Sequence, residues 1–293
     1  MPSNVLVPID GSEQAIAGLE YCFASFPDAT ITALYVVDPG YDNYASVGER
    51  ESIEDRAQAA ADRILDRART RADDRGHELE TAVRTGSPQT EILEHVVAED
   101  VDHVVMGSHG ESPITRPFLG HVSEAVVRRA PVSTSVVSEP PADLTQRDLP
   151  GRILVPVDGS EQADAALEYA LEAFPDATIA VVHVVDLPFE TGHDEVGGTY
   201  LESIRDEFDE RADEILASAE TIADEQGRSV ETASIYGDPK SEIVEYALEA
   251  ECDQIVMGGH GRSLAARLVT GTVAETVTRR SSITVTLVRG RPD

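Results

Sequence analysis

The chain repeats itself once. Residues 4–38 align without a gap on residues 152–186, an offset of 148, and 22 of the 35 positions are identical. The run Leu6–Ala15 (LVPIDGSEQA) returns as Leu154–Ala163 (LVPVDGSEQA), and FPDATI occurs at Phe26–Ile31 and again at Phe174–Ile179. Near the end of each half, Val104–Gly110 (VVMGSHG) is answered by Ile255–Gly261 (IVMGGHG). Solenoid repeats have periods of roughly 20–50 residues, so a period of half the chain reads as a duplicated domain. The length of 293 residues also fits two domains. The stretch from Ser138 to Gly151 is Pro-rich and lacks a hydrophobic period. The expected organisation is a first domain over 1–138, a linker over 139–151 and a second domain over 152–293.

Each half alternates short apolar runs with helical spacing. In the first, strands are expected at Val5–Ile9, Ile31–Val37, Leu79–Arg84, His103–Met106 and Val132–Val137, with Ser12 capping the helix after the first. Further helices are expected at Ser52–Arg75, Thr90–Ala98 and Val122–Arg129. The second half repeats the order with strands at Ile153–Val157, Ile179–Val185, Val230–Ile235, Gln254–Met257 and Thr284–Val288. Its later helices fall at Ser203–Gln226, Glu242–Glu249 and Val273–Arg279. Such alternation predicts an α/β fold: two tandem doubly wound domains, each a parallel sheet with helices on both faces. Ligands of such sheets sit at the carboxyl ends of the strands, where the strand order reverses.

Charge narrows the partners. There are 55 acidic and 23 basic residues, a net charge of −32, and Lys240 is the single lysine. Nucleic-acid binding needs clustered cations, so it is not expected. A hydrophobic content of 41% excludes a disordered chain. No run approaches the roughly 20 apolar residues of a membrane span, and the N-terminus has no signal pattern; a soluble, cytoplasmic protein is expected. Two cysteines make no disulfide framework, and Cys22 and Cys252 occupy non-equivalent places in core-like runs, as buried thiols do. Acidic self-repulsion is relieved by concentrated salt, and the lysine-poor, carboxylate-rich balance resembles that of halophilic proteins.

The most informative segment follows the fourth strand of the second half: Gly258-Gly259-His260-Gly261, nine residues, then Gly271-Thr272. Glycines at a strand end let backbone amides approach a phosphate, and the start of the next helix attracts anions. Thr272 with Glu275 also fits a capping box. Spacing alone leaves two readings open, a phosphate cradle or ordinary turns and a cap. It is not a Walker loop, since no G-x-x-x-x-G-K-[ST] is present.

The VPxDGSE turn, the VMGxHG loop and the G-x-x-G, nine-residue, G-[ST] spacing together resemble the universal stress protein family, over nearly the whole chain and twice. The resemblance implies five-stranded parallel sheets of order 3-2-1-4-5, paired through their last strands as an intramolecular pseudo-dimer, with homodimerisation a further possibility. It also implies ATP or AMP, with Mg2+, in members that keep the full loop. Carried onto the second half, Pro156, Val157 and Asp158 would line the adenosine end, Val184 would meet the base through its backbone, and Met257 and Gly258 would lie along the ribose. Gly261, Gly271, Thr272 and Val273 would hold the phosphates, with Arg262 adding positive charge. For Asp158 a turn-fixing role stands beside ligand contact.

The first half offers a weaker, degenerate site: Asp10, Val36, Gly107, Gly110, Gly120 and His121. Here His121 replaces the small hydroxyl residue, Glu111 replaces Arg262, and Pro113 and Pro117 stiffen the loop. One nucleotide per chain is therefore expected, in the second half, unless the His121 imidazole serves a phosphate. His109 and His260 recur without companions at metal-ligand spacing, so no metal site is expected. No catalytic constellation is recognisable, and turnover would be at most slow ATP hydrolysis or self-phosphorylation. The leading reading is the nucleotide binder, in a regulatory or stress-response role with an unidentified protein partner. Two alternatives remain. One is an interaction and dimerisation module in which the loop is only a fold element and neither half holds nucleotide. The other is an adenylating enzyme, disfavoured because Asp-Gly-Ser-Glu follows the first strand where that chemistry uses Ser-Gly-Gly.

Overall fold

The computed structural model describes residues 1–39, 50–109, 119–138, 150–187, 198–260 and 272–290. The first half runs β1 (Asn4–Pro8), α1 (Glu13–Ser25), β2 (Thr30–Val37), α2 (Arg50–Arg75), β3 (Glu80–Thr85), α3 (Pro88–Ala98), β4 (His103–Gly107), α4 (His121–Arg129) and β5 (Ser133–Val137). The second repeats it as β6 (Arg152–Pro156), α5 (Glu161–Ala173), β7 (Thr178–Val185), α6 (Gly198–Glu225), β8 (Glu231–Tyr236), α7 (Pro239–Glu249), β9 (Gln254–His260), α8 (Thr272–Arg280) and β10 (Thr284–Arg289).

The order expected for each half is present: β3-β2-β1-β4-β5 and β8-β7-β6-β9-β10. The two five-stranded sheets are continuous, because β5 and β10 pair antiparallel, with Val136 opposite Val285. All the other pairings are parallel. Val5, Val7 and Ile9 point to the α1/α2 face and Leu6 to the α3/α4 face, the period of two that a strand buried on both sides requires. The α1, α2, α5 and α6 layer covers one core shared by both halves, whereas the opposite face divides into two cores.

Several boundaries depart from expectation. α3 and α7 begin at Pro88 and Pro239, ahead of the expected Thr90 and Glu242; proline suits the first helical turn, where its missing N–H has no partner to lose. β9 runs on to His260, past the expected Met257, and its register against β10 shifts at Val288/Arg289. α8 starts at Thr272, so that residue lies inside the first turn and not at the cap position assigned to it. In α4 the equivalent cap is Gly120, which contributes no side-chain bond.

A buried polar chain crosses the junction between the halves. The Tyr21 hydroxyl donates to Gln254 Oε1 (2.5 Å), and Gln254 Nε2 donates to Thr286 Oγ1 (2.7 Å). Thr286 and Ser135 share a hydroxyl contact of 2.6 Å, and His103 bonds Ser135 through Nε2 (2.9 Å) and the Tyr169 hydroxyl through Nδ1 (3.0 Å). Tyr21 and Tyr169, His103 and Gln254, and Ser135 and Thr286 are equivalent pairs, so each tyrosine reaches into the other half. The Gln254 amide donates to Thr286, and the direction of the remaining contacts follows the tautomer of His103.

Candidate functional site

In each half the central strand is gripped unequally by its neighbours. β6 pairs with β7 along all five residues, Arg152 to Pro156, but with β9 only at Ile153 and Leu154. β1 behaves the same way, pairing with β2 from Asn4 to Pro8 and with β4 only at Val5 and Leu6. The strands therefore part toward their carboxyl ends at the position where the chain reverses its direction of winding, the place where α/β sheets hold ligands.

Around the second-half crevice stand Pro156 at the end of β6, Val157 and Asp158 just beyond it, Val184 near the end of β7, and Met257 and Gly258 in β9. α8 returns from the same end of the sheet, with Thr272 exposed and Val273 half-buried in its first turn. The proposed residues Gly261, Arg262 and Gly271 lie outside the described residues, as do Gly110, Glu111, Pro113 and Pro117 of the first half and positions 139–149 of the expected linker. Gly151 is tied into the second half, its amide donating to Asp253 Oδ2 at 2.9 Å.

The turn after β6 is strongly specified. Gly159 has φ +77°, a conformation that favours glycine. Asp158 Oδ1 accepts the Ser160 amide at 3.0 Å, and Ser160 Oγ accepts the Ala163 amide at 3.3 Å to cap α5. Asp158 thus fixes the turn with one oxygen and remains exposed. Its charge is felt nearby: burial first, then the carboxylates of Asp158 and Glu161, hold the Asp164 carboxyl above its ordinary range. Val157 is held by both of its polar groups, its amide donating to Val182 O (2.8 Å) and its carbonyl accepting from His183 Nδ1 (2.8 Å).

The first-half crevice is arranged differently. Asp10 Oδ1 accepts both the Ser12 amide (3.0 Å) and the Ser12 hydroxyl (2.6 Å). Val36 is half-buried in β2. The Gly120 amide, which the motif would offer to a phosphate, donates to the Ser108 carbonyl at 2.8 Å. The Ser123 hydroxyl donates to the Gly107 carbonyl (2.9 Å), and His121 opens α4 as an exposed residue.

Gly107 and Gly258 have a structural reason of their own. A Cβ on Gly258 would come within 2.7 Å of the Gln162 carbonyl oxygen, and one on Gly107 within 2.7 Å of the Gln14 carbonyl carbon. Both glycines let the first helix of their half lie against the fourth strand. Cys22 and Cys252 are buried free thiols, and burial raises both pKa values. Among the described residues no group of three or more His, Cys, Asp or Glu is set to hold a metal, and no helix is long and apolar enough to cross a membrane. A groove of about 410 Å³ between Thr178–Ile179 and Gly227–Glu231 lies at the opposite, amino end of the strands. Its Arg228 is committed to the carbonyls of Leu171, Phe174 and Ala177.

His183 escaped the sequence reading. Its signal lay inside the aligned block, where Tyr35 and His183 close a run of four mismatched positions just before the shared Val-Val-Asp.

Known proteins agree with this architecture. The sequence pattern of the universal stress protein family matches residues 1–138 and again 150–289. Universal stress protein MJ0531 of Methanocaldococcus jannaschii is 31% identical over 140 residues, 47% of this chain and 81% of its own. Universal stress protein YxiE of Bacillus subtilis is 30% identical over 145 residues, 47% of this chain and 98% of its own. Among solved structures, a universal stress protein from Archaeoglobus fulgidus superposes with a TM-score of 0.71 at 25% identity, covering 98% of each chain. Two matches to one family pattern, each spanning a half with its own divided crevice, make this chain a tandem, two-domain member of the universal stress protein family.

Proposed function

We propose that the second half binds one adenine nucleotide, ATP or AMP, with Mg2+ accompanying the triphosphate, and that the protein serves a regulatory, stress-response role. The observation that supports a ligand crevice is the parting of β6 from β9 beyond Leu154, which β1 and β4 share; the complete glycine and Gly271-Thr272 motif is what favours the second half. Val157, Asp158, Val184, Met257 and Gly258 stand at the carboxyl end of the sheet, from which α8 returns, and this supports the reading. Asp158, Val184 and Met257–Gly258 are the residues for the adenosine part. Backbone amides of the Gly261–Val273 segment, assisted by Arg262, are the donors for the phosphates, favoured by the dipole of α8. The first half is the weaker site in this reading, because His121 stands in place of the hydroxyl residue and Glu111 in place of Arg262.

The test is calorimetric titration of the full chain with ATP and with AMP in concentrated KCl, together with identification of any nucleotide released on denaturation. One site per chain is expected. Gly261→Val or Gly271→Val should abolish binding, and Gly120→Val should leave it intact. No binding to the wild type, with none released, would overturn the reading in favour of an interaction module. Binding abolished by Gly120→Val would move the site to the first half.

A further inference from the structure

We infer that His183 is a positioning residue of the second-half crevice and part of what makes that half the competent one; this rests on the nucleotide reading above. Val157 leads directly into Asp158 and the Gly159 turn, so the direction of the Asp158 carboxylate follows from how Val157 is held. Its amide, in the peptide that precedes it, is bonded to Val182 O at 2.8 Å, which leaves the following peptide, the one that leads into Asp158, to be held separately. The second anchor is His183 Nδ1, 2.8 Å from the Val157 carbonyl oxygen. A carbonyl only accepts, so Nδ1 carries the hydrogen and the ring is held in that tautomer. Both bonds come from consecutive residues of β7, just before Val184. The turn at the end of β6 and the strand end that would meet the base are thereby locked to one another.

The first half repeats the amide bond, Ile9 N to Leu34 O at 2.8 Å, but carries Tyr35 at the equivalent position. A phenol's one donor lies at the far end of its ring and cannot reproduce a bond made from the δ position. Asp10 is instead gripped by the amide and hydroxyl of Ser12 together, which takes accepting capacity from the carboxylate. In the second half Ser160 uses only its amide on Asp158. The His183 bond thus does from the strand what Ser12 does from the helix: it steadies the turn, through the Val157 carbonyl in the second half where the first uses Asp10 Oδ1.

Full-length His183→Phe and His183→Asn separate the bond from the packing. Phenylalanine keeps the ring and loses the donor; asparagine loses the ring but keeps an N–H at the same branch point. Loss of one neutral hydrogen bond corresponds to roughly a two- to tenfold weakening, so His183→Phe should weaken ATP and AMP binding by about that factor. His183→Asn should stay within about twofold of the wild type, with melting temperatures compared in the same buffer. Unchanged binding by His183→Phe would overturn the inference. So would equal losses in both variants, which would assign the effect to ring packing. A wild type that binds no nucleotide overturns the parent reading and removes this one with it, an outcome distinct from the other two.

Discussion

A methyl group is enough to test why Gly258 is glycine. The clash it would make is with backbone, the Gln162 carbonyl at 2.7 Å, which cannot swing aside as a side chain can. Gly258→Ala should therefore cost about 1–3 kcal/mol of stability in urea unfolding, the usual range for overpacking. Gly107→Ala should cost a similar amount through Gln14. Equal losses in the two halves would mark the glycines as packing residues. A loss of nucleotide binding by Gly258→Ala without loss of stability would contradict that account. Spacing in the sequence left these glycines open between a phosphate cradle and a turn, because it does not reveal which helix lies across the strand. For Asp158 both weighed roles remained possible, and the turn-fixing one is visible in its bond to Ser160. Gly261, Arg262 and Gly271 rest on the motif.

Elements were legible where the apolar period was clean and less so at their ends. Every expected strand and helix is present, and the discrepancies have local causes. α3 and α7 open at Pro88 and Pro239, two and three residues ahead of the expected Thr90 and Glu242, and β9 continues past Met257 to His260 with an irregular register against β10. The Ser12 cap was readable, but its difference from the Ser160 cap was not. Ser12 Oγ accepts from Ala15 N at 3.1 Å and donates to Asp10 Oδ1 at 2.6 Å, while Ser160 Oγ makes only a longer cap bond of 3.3 Å. Ser12→Ala should lie toward the upper part of the range of about 0.5–2 kcal/mol for lost caps, and Ser160→Ala toward the lower part. Chemical denaturation of the two variants measures the difference, and the reverse order would refute the assignment.

At the scale of the whole molecule, the buried chain from Tyr21 to Tyr169 joins residues as far apart in sequence as Tyr21 and Gln254, and no local pattern announces it. The pairing of the last strands was anticipated through family resemblance; the chemistry of the seam was not. Its member that titrates on the acid side is His103, which burial pushes down to about 3 from an ordinary 6.5 against a smaller upward pull from Asp102. Between those values an unfolded chain binds a proton that the folded one refuses. The contribution of neutral His103 is therefore full above about pH 6.5 and declines as pH falls toward 3. His103→Gln installs the residue that the second half carries at the same place, so it should lose stability near neutrality and be less acid-sensitive. The gap between wild type and variant in unfolding free energy should narrow from about pH 7 to about pH 4; a constant gap would exclude His103 as the source.

The antiparallel seam between β5 and β10 has a consequence for how such a molecule can diversify. When two separate, identical subunits embrace, every mutation is installed twice and both clefts change together. Tethering the partners in one polypeptide lifts that constraint. Histidine can face glutamine, serine can face threonine, and one cleft can drift while its twin keeps its ancestral geometry.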